Sequence, residues 1–348
     1  MNDAARAAAG GDTRPAGSGE TIPVLTCFDD NYVIPAAVAF HTLAATADPA
    51  HRYRVYVAHS DISAAHQERL VAMLASAPAR VELVFIDMKH RLTDLFARTG
   101  GKGHYSKEMF YKLLAPSLFP QHDKMLVTDV DVLFQGDVSR DYLAFDAAGT
   151  DYLAGSPSLV RRDSWVDRVS ELYAETFSPE ERARLVVGAG YYVVNLARMR
   201  ADGLEEVMVR FATDNVHRLV QPEQDVLNLV CHPHIRRLPA DSMVCSYAYD
   251  CYRDAADWAE DRHYTAEEVG HALAHPVQLH FAGAAKPWTH PSVTHSEVWY
   301  EALARTGFLR DQLVRLDRRL DEQRRHKPVA AWRVPFLRRT FVLTKTRG

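Results

Sequence analysis

Residues 124–139 read KMLVTDVDVLFQGDVS. Met125–Thr128 is an apolar run too short for a helix, and it ends abruptly in Asp129-Val130-Asp131. Such a run predicts a buried strand with an acidic loop at its carboxyl end. Residues i and i+2 of an extended segment point to the same side, so the two carboxylates share a face. They repel each other there unless a cation lies between them. Their hard oxygen atoms suit Mg²⁺ or Mn²⁺. Taken alone, such a pair is more often a solvated loop than a metal site.

On either side of this stretch the chain alternates. Ile22–Phe28 (IPVLTCF), Tyr53–Ala58 (YRVYVA) and Val81–Ile86 (VELVFI) read as strands. Between them, Ala36–Ala45 reads as a helix with Pro35 in its first turn, and Ser63 caps a helix through Leu74. Strand and helix alternating at this spacing predict right-handed crossovers and a largely parallel sheet. Ligands of open α/β sheets bind beyond the carboxyl ends of strands. Asp29-Asp30 and Asp129-Val130-Asp131 both fall at such ends. Farther on, Ser106–Leu114, Glu205–Ala212, Pro222–Val230, Val298–Ala304 and Leu309–Arg325 read as helices. Tyr191–Val194 and Val277–Phe281 read as strands. The region from Gly155 to Gly188 carries no regular pattern.

Composition narrows the function. The chain has 348 residues, 47% hydrophobic and 25% charged, enough for a large α/β domain. The net charge of −4 offers no field for a nucleic-acid partner. Cys27, Cys231, Cys245 and Cys251 are scattered and read as reduced thiols of a cytoplasmic protein. Met1–Glu20 is rich in Ala and Gly and reads as a disordered leader. No apolar run is long enough to span a bilayer. The first strand is not followed by G-x-G-x-x-G, which argues against a dinucleotide oxidoreductase. Gly100-Gly101-Lys102-Gly103 lacks the frame of a P-loop. No G-x-S-x-G elbow is present. Cys231, His232 and His234 lack a fourth ligand for zinc.

Four stretches, in order, carry a family likeness: LTCFDDNYVIPAAVAFHTL, the acidic segment above, QPEQDVLNLV and LHFAGAAKPW. Together, over residues 21–300, they resemble glycosyltransferase family 8, which includes bacterial lipooligosaccharide galactosyltransferases and glycogenin. The resemblance implies a GT-A-type nucleotide-diphospho-sugar transferase fold, a Rossmann-like mixed sheet flanked by helices, over residues 21–305. It implies Asp129, Asp131 and His280 as metal ligands. An imidazole beside two carboxylates favours Mn²⁺, with Mg²⁺ as the alternative. By the same resemblance, Asp29, Asn31 and Tyr32 hold the uridine and ribose of a UDP-hexose. Gly283 and Lys286 form the loop over the diphosphate, Gln224 lies under the transferred sugar, and Asp225 contacts sugar hydroxyls. His104 and Ser106 lie where the family contacts the donor.

The chain also departs from the family. Lys112 stands where an Arg often orders the donor site. N-A-G reads Gly188-Ala189-Gly190, and D-Q-D reads Glu223-Gln224-Asp225. These changes leave the hexose, glucose or galactose, open. The resemblance implies retaining transfer to a saccharide or glycolipid hydroxyl in cell-surface polysaccharide or lipooligosaccharide synthesis. A non-catalytic UDP-sugar-binding scaffold and a glycogenin-like self-glycosylating primer are the alternatives. From Arg310 onward, twelve Lys and Arg face four Asp and Glu. Residues 306–348 therefore read as a helical basic tail. Its Trp332, Phe336 and Phe341 give it the composition of a segment lying on an anionic membrane, here the inner face of the cytoplasmic membrane. Packing on the enzyme or on another subunit is the alternative.

Overall fold

The computed structural model describes residues 19–75, 77, 80–98, 106–159, 167–326, 328–334 and 339–344. The leader through residue 18, the Gly100–Gly103 loop and His104 lie outside the described residues.

The first half folds as its alternation predicts. Strands β1 (Thr21–Cys27), β2 (Arg52–His59), β3 (Arg80–Asp87) and β4 (Lys124–Thr128) are joined through helices. β2 pairs parallel with β1 and with β3, and β4 pairs parallel with β1. The interior of β1, Ile22–Thr26, is buried. That is the price of being covered on both faces, and it explains the unbroken apolar run. Alternate residues divide between two cores. Val24, Val55 and Leu126 face one, while Leu25, Tyr56 and Val127 face the other. Helix α1 (Val33–Thr46) is buried almost throughout. Its Thr42 hydroxyl donates to Val38 O, so a buried polar group is satisfied within the helix itself. Helix α2 (Ala64–Leu74) starts where Ser63 Oγ accepts from the His66 amide.

The second half adds strands of both directions. Here the chain forms β5 (Val132–Phe134), β6 (Leu153–Pro157), β7 (Val187–Asn195) and β8 (Ile235–Arg237). The main sheet has the order β3-β2-β1-β4-β7-β6-β8. β7 runs antiparallel to both β4 and β6. The chain builds outward from β1 to β3 and then returns to place β4 on the other side of β1. The two carboxyl ends flanking this reversal carry Asp29 and Asp129, so the topology itself juxtaposes the two acidic loops.

A second sheet brings in the distant histidine. It contains β9 (Val244–Cys245) and β10 (Gln278–His280) in the order β5-β10-β9. β10 pairs antiparallel with β5, His280 opposite Val132. Phe281 N donates to Asp131 O at 2.9 Å. Backbone pairing alone therefore puts His280 beside the acidic pair.

The tail differs from its expectation. A helix covers Leu309–His326, but β11 (Pro328–Val334) and β12 (Arg339–Thr344) then form an antiparallel pair. The helical reading of residues 306–348 is corrected for this part. Val329, Val334, Thr340, Phe341 and Val342 are β-branched or aromatic, and Pro335 denies a helix its amide donor. Among the described residues, no helix is long and apolar enough to cross a membrane.

Candidate active site

Three side chains from two sheets meet at the β4 terminus. His280 Nε2 lies 3.2 Å from Asp131 Oδ1 and 3.7 Å from Asp129 Oδ2. Asp129, Asp131 and His280 each offer a ligand atom, and these atoms lie within 4.8 Å of one another. Two carboxylates and an imidazole gathered this closely fit a divalent cation that accepts hard oxygen and nitrogen donors. Lys286 closes the group, its Nζ donating to Asp131 Oδ2 at 2.5 Å and to Phe281 O at 2.6 Å. Burial works against the Asp131 charge, but Lys286 and His280 outweigh it and hold the carboxyl far below its usual range. Burial likewise works against charging His280. The Asp131 carboxylate prevails and lifts the imidazole to about 10.

Gly190 makes room for that imidazole. A Cβ at this position would lie 2.6 Å from His280 Cε1 and 2.7 Å from Nδ1. The glycine has little freedom to retreat, because its carbonyl accepts from Asp129 N and from Gln278 Nε2, both at 3.1 Å. Gly190→Ala is expected to destabilise the fold by about 1–3 kcal/mol through overpacking. It should also weaken the binding of a divalent cation at Asp129, Asp131 and His280 by at least about tenfold. Isothermal titration with Mn²⁺ checks this, and wild-type affinity would show that the ring is not confined by the strand. Sequence reading had noted the Gly-Ala-Gly run only as a departure from the family, since the contact is between distant strands.

Lys112 proves central. Its side chain is buried, and Nζ donates to Asp129 Oδ1 at 2.5 Å, Glu223 Oε1 at 3.0 Å and Ala189 O at 3.0 Å. One ammonium thus ties the acidic pair to the amino-terminal turn of the Pro222–Cys231 helix. Burial opposes its charge, yet Asp129 and Glu223 raise its proton affinity well above normal. Burial also raises Glu223, with Lys112 partly countering it. In sequence Glu223 reads only as a departure from the family motif, and Asn228 carries no signal of its own. Asn228 Oδ1 accepts from Val186 N and Val187 N, and its Nδ2 donates to Val187 O. Gln224 Oε1 accepts from Ala189 N at 3.0 Å. The helix therefore grips the edge of β7 that leads to Gly190.

Other expected site residues divide. Asp29 accepts from Asn31 N at 3.1 Å and from Asn31 Nδ2 at 3.0 Å, fixing the turn that presents Asn31 and Tyr32. The Tyr32 ring meets Trp288 edge-on at 5.7 Å, so the first acidic loop touches the Lys286 loop. Gly283 has φ +90, a left-handed conformation that favours glycine. Ser106 precedes the Lys107–Tyr111 helix without capping it through its side chain. Asp225 lies in the first turn of the Pro222–Cys231 helix. Its carboxylate accepts from Tyr173 Oη at 2.7 Å, Val220 N at 2.7 Å and Gln221 N at 2.9 Å. Burial pushes this carboxyl up to about 6. Its position four residues into the helix lets it reach back to the amides that precede the first turn, which makes it an anchor of that turn.

A family model, Glycosyl transferase family 8, matches residues 23–291. The chain belongs to glycosyl transferase family 8. Solved structures of glycosyltransferases at low identity show the same fold. The galactosyltransferase LgtC, solved in complex with donor and acceptor sugar analogs, superposes with a TM-score of 0.63 at 18% identity. The likeness covers 81% of this chain and 95% of that one. The apo structure of the bifunctional glycosyltransferase WbbM gives a TM-score of 0.63 at 20% identity, covering 87% of this chain. This chain spans 52% of WbbM, about half its length. General stress protein A of Bacillus subtilis (strain 168) is 19% identical over 273 residues, 77% of this chain and 88% of that protein. The mixed sheet with its flanking helices is the GT-A-type fold of these glycosyltransferases.

Proposed function

We propose that this family 8 glycosyltransferase moves a hexose, glucose or galactose, from a UDP-hexose to a saccharide hydroxyl in a Mn²⁺-dependent, retaining reaction. The observation that supports it most is the meeting of three loops at one sheet reversal. Asp29–Tyr32, Asp129–Asp131 and the His280–Lys286 segment converge there, joined by the Tyr32–Trp288 and Lys286–Asp131 contacts. The cation, when bound, supplies positive charge against the diphosphate leaving group.

The chain's own groups do the rest. Asn31 and Tyr32 present polar groups to the nucleoside. Lys286 is a second cation beside Asp131, able to exchange that carboxylate for a phosphate oxygen as leaving-group charge builds. Lys112 holds Asp129 in place by donating to its Oδ1. Ser106 and the neighbouring His104 are assigned to the donor side, Gly283 to the backbone that closes over the phosphates. Gln224 is a poor nucleophile and already accepts from Ala189 N. The acceptor oxygen is therefore assigned to attack on the face that the phosphate leaves. Its bond to the anomeric carbon forms as the carbon–phosphate oxygen bond breaks, and the phosphate oxygen takes the hydroxyl proton. The product is then α-linked, and a β-linked product by proton NMR would end this mechanism.

The acceptor is a saccharide or glycolipid of cell-surface polysaccharide or lipooligosaccharide synthesis. The basic tail, with Leu313, Val314 and Leu320 exposed on its helix, would rest on an anionic membrane from the cytoplasmic side. Thermal unfolding with UDP-, GDP- and CMP-sugars tests the donor. UDP-hexose with Mn²⁺ should stabilise the protein by about 2–3 kcal/mol at a hundredfold excess over its dissociation constant. Removing the metal with EDTA should abolish most of the shift. Equal shifts from all three nucleotides would reject the assignment.

A further inference from the structure

The Leu309–His326 helix reaches back to both loops of the site. Gln312 is buried, and its Nε2 donates to Trp288 O at 2.9 Å. Tyr300 Oη donates to the neighbouring carbonyl, Pro287 O, at 3.2 Å. The two residues that follow Lys286 are thus held by their backbones. One turn along the same helix, Arg315 Nη1 donates to Asn31 O at 2.9 Å. Residues i and i+3 lie on one helical face. This face therefore spans from the Lys286–Trp288 loop to the Asp29–Tyr32 loop, across the Tyr32–Trp288 ring contact.

The helix is itself anchored. Arg69 Nη2 lies 2.6 Å from Asp311 Oδ2, and the Arg69 guanidinium sits 4.1 Å from the centroid of the buried Phe308 ring. Its start is thereby tied to α2. Beneath the loop, Trp288 packs on the fully buried Trp299 with ring centroids 5.6 Å apart. The clamp has a rigid back and two polar contacts in front.

We propose that Gln312 and Arg315 are positioning residues that set the spacing of the two donor-side loops, and through it the placement of Lys286 and Tyr32. Neither residue touches the cation ligands or the reacting atoms. Their functional consequence rests on the UDP-hexose reading, but the clamp itself does not. It follows that the basic tail is part of the donor site as well as an appendage to it. Anything that lifts this helix would loosen both loops together.

The test uses the full chain and the variants Gln312→Met and Arg315→Gln, with Arg315→Lys as the conservative control. Met keeps the buried volume and removes the donor. Arg315 is exposed, so its substitution should leave the melting temperature unchanged. Hydrogen exchange followed by mass spectrometry should show faster exchange in residues 29–33 and 282–290 for Gln312→Met and Arg315→Gln, with the core strands unchanged. Titration with UDP in the presence of Mn²⁺ should show about five- to tenfold weaker binding for each, with Arg315→Lys nearer to wild type. Transfer assays should place the defect in the donor KM, with kcat largely retained. Unchanged exchange in both segments overturns the clamp. Faster exchange with unaltered UDP affinity overturns the positioning role. Wild-type protein that shows the protected loops but no affinity for UDP overturns the donor reading, and the functional half of this proposal with it.

Discussion

Asp131→Asn is expected to lower hexosyl transfer by about a thousandfold while the protein remains folded. The carboxylate lies between Lys286 at 2.5 Å and His280 at 3.2 Å, so it is the shared counter-charge of the site. Asparagine keeps the shape and one acceptor oxygen but removes the charge. Cation affinity should collapse, because Asp129 and His280 alone form an incomplete shell. His280 should also lose its elevated proton affinity, since the Asp131 carboxylate is what sustains it. Two measurements check this: initial rates with UDP-hexose across a Mn²⁺ series, and the thermal shift on adding Mn²⁺. Wild-type rates with an intact Mn²⁺ response would remove this carboxylate from the cation site and the mechanism with it.

Lys112→Met should cost about 3–5 kcal/mol of folding stability, the range for leaving a buried carboxylate, here Glu223, without its cation. Asp129 and Glu223 would face each other across an apolar side chain, and Ala189 O would lose its donor. Surface ion pairs do not behave this way, because water replaces the lost partner. Here the Lys112 and Glu223 side chains are 2% and 5% exposed, so water has little access. Adding Glu223→Gln to Lys112→Met should recover part of the loss, because it removes one of the two stranded charges. Urea unfolding of the two singles and the double measures the coupling. A Lys112→Met protein as stable as wild type would mean the pair is solvated and the site is looser than drawn.

The same lysine shows how far the sequence could be read. In sequence Lys112 reads as a donor-site residue standing in for a family arginine, and its two carboxylate partners carry no local signal. Asp129 and Glu223 lie on different elements, and the ion pairs each makes with Lys112 leave no local trace. Gly190 is a similar case. Its requirement comes from the His280 ring on another strand, where a Cβ would stand 2.6 Å away. Asp225 is a further case, because the donation from Tyr173 and two backbone amides to its carboxylate depends on packing around the helix start. The helical period of Leu309–Arg325 does not carry on past His326, where the β-branched and aromatic residues pair as strands instead.

What the amino-acid order determined by itself was the alternation of strands and helices around Met125–Thr128, and with it the parallel half of the sheet. Those features rest on local periodicity, on caps such as Ser63 and on short-range burial, all of which are written along the chain. The family resemblance already implied that His280 joins the acidic pair, but only the tertiary structure decided that Lys286 meets Asp131, that Lys112 bridges Asp129 and Glu223, and that the Leu309–His326 helix grips both loops of the site. Each of these depends on which strand pairs with which and on how two packed faces register. Contacts of that kind arise from the summed burial of many residues, so no single stretch of the chain carries them.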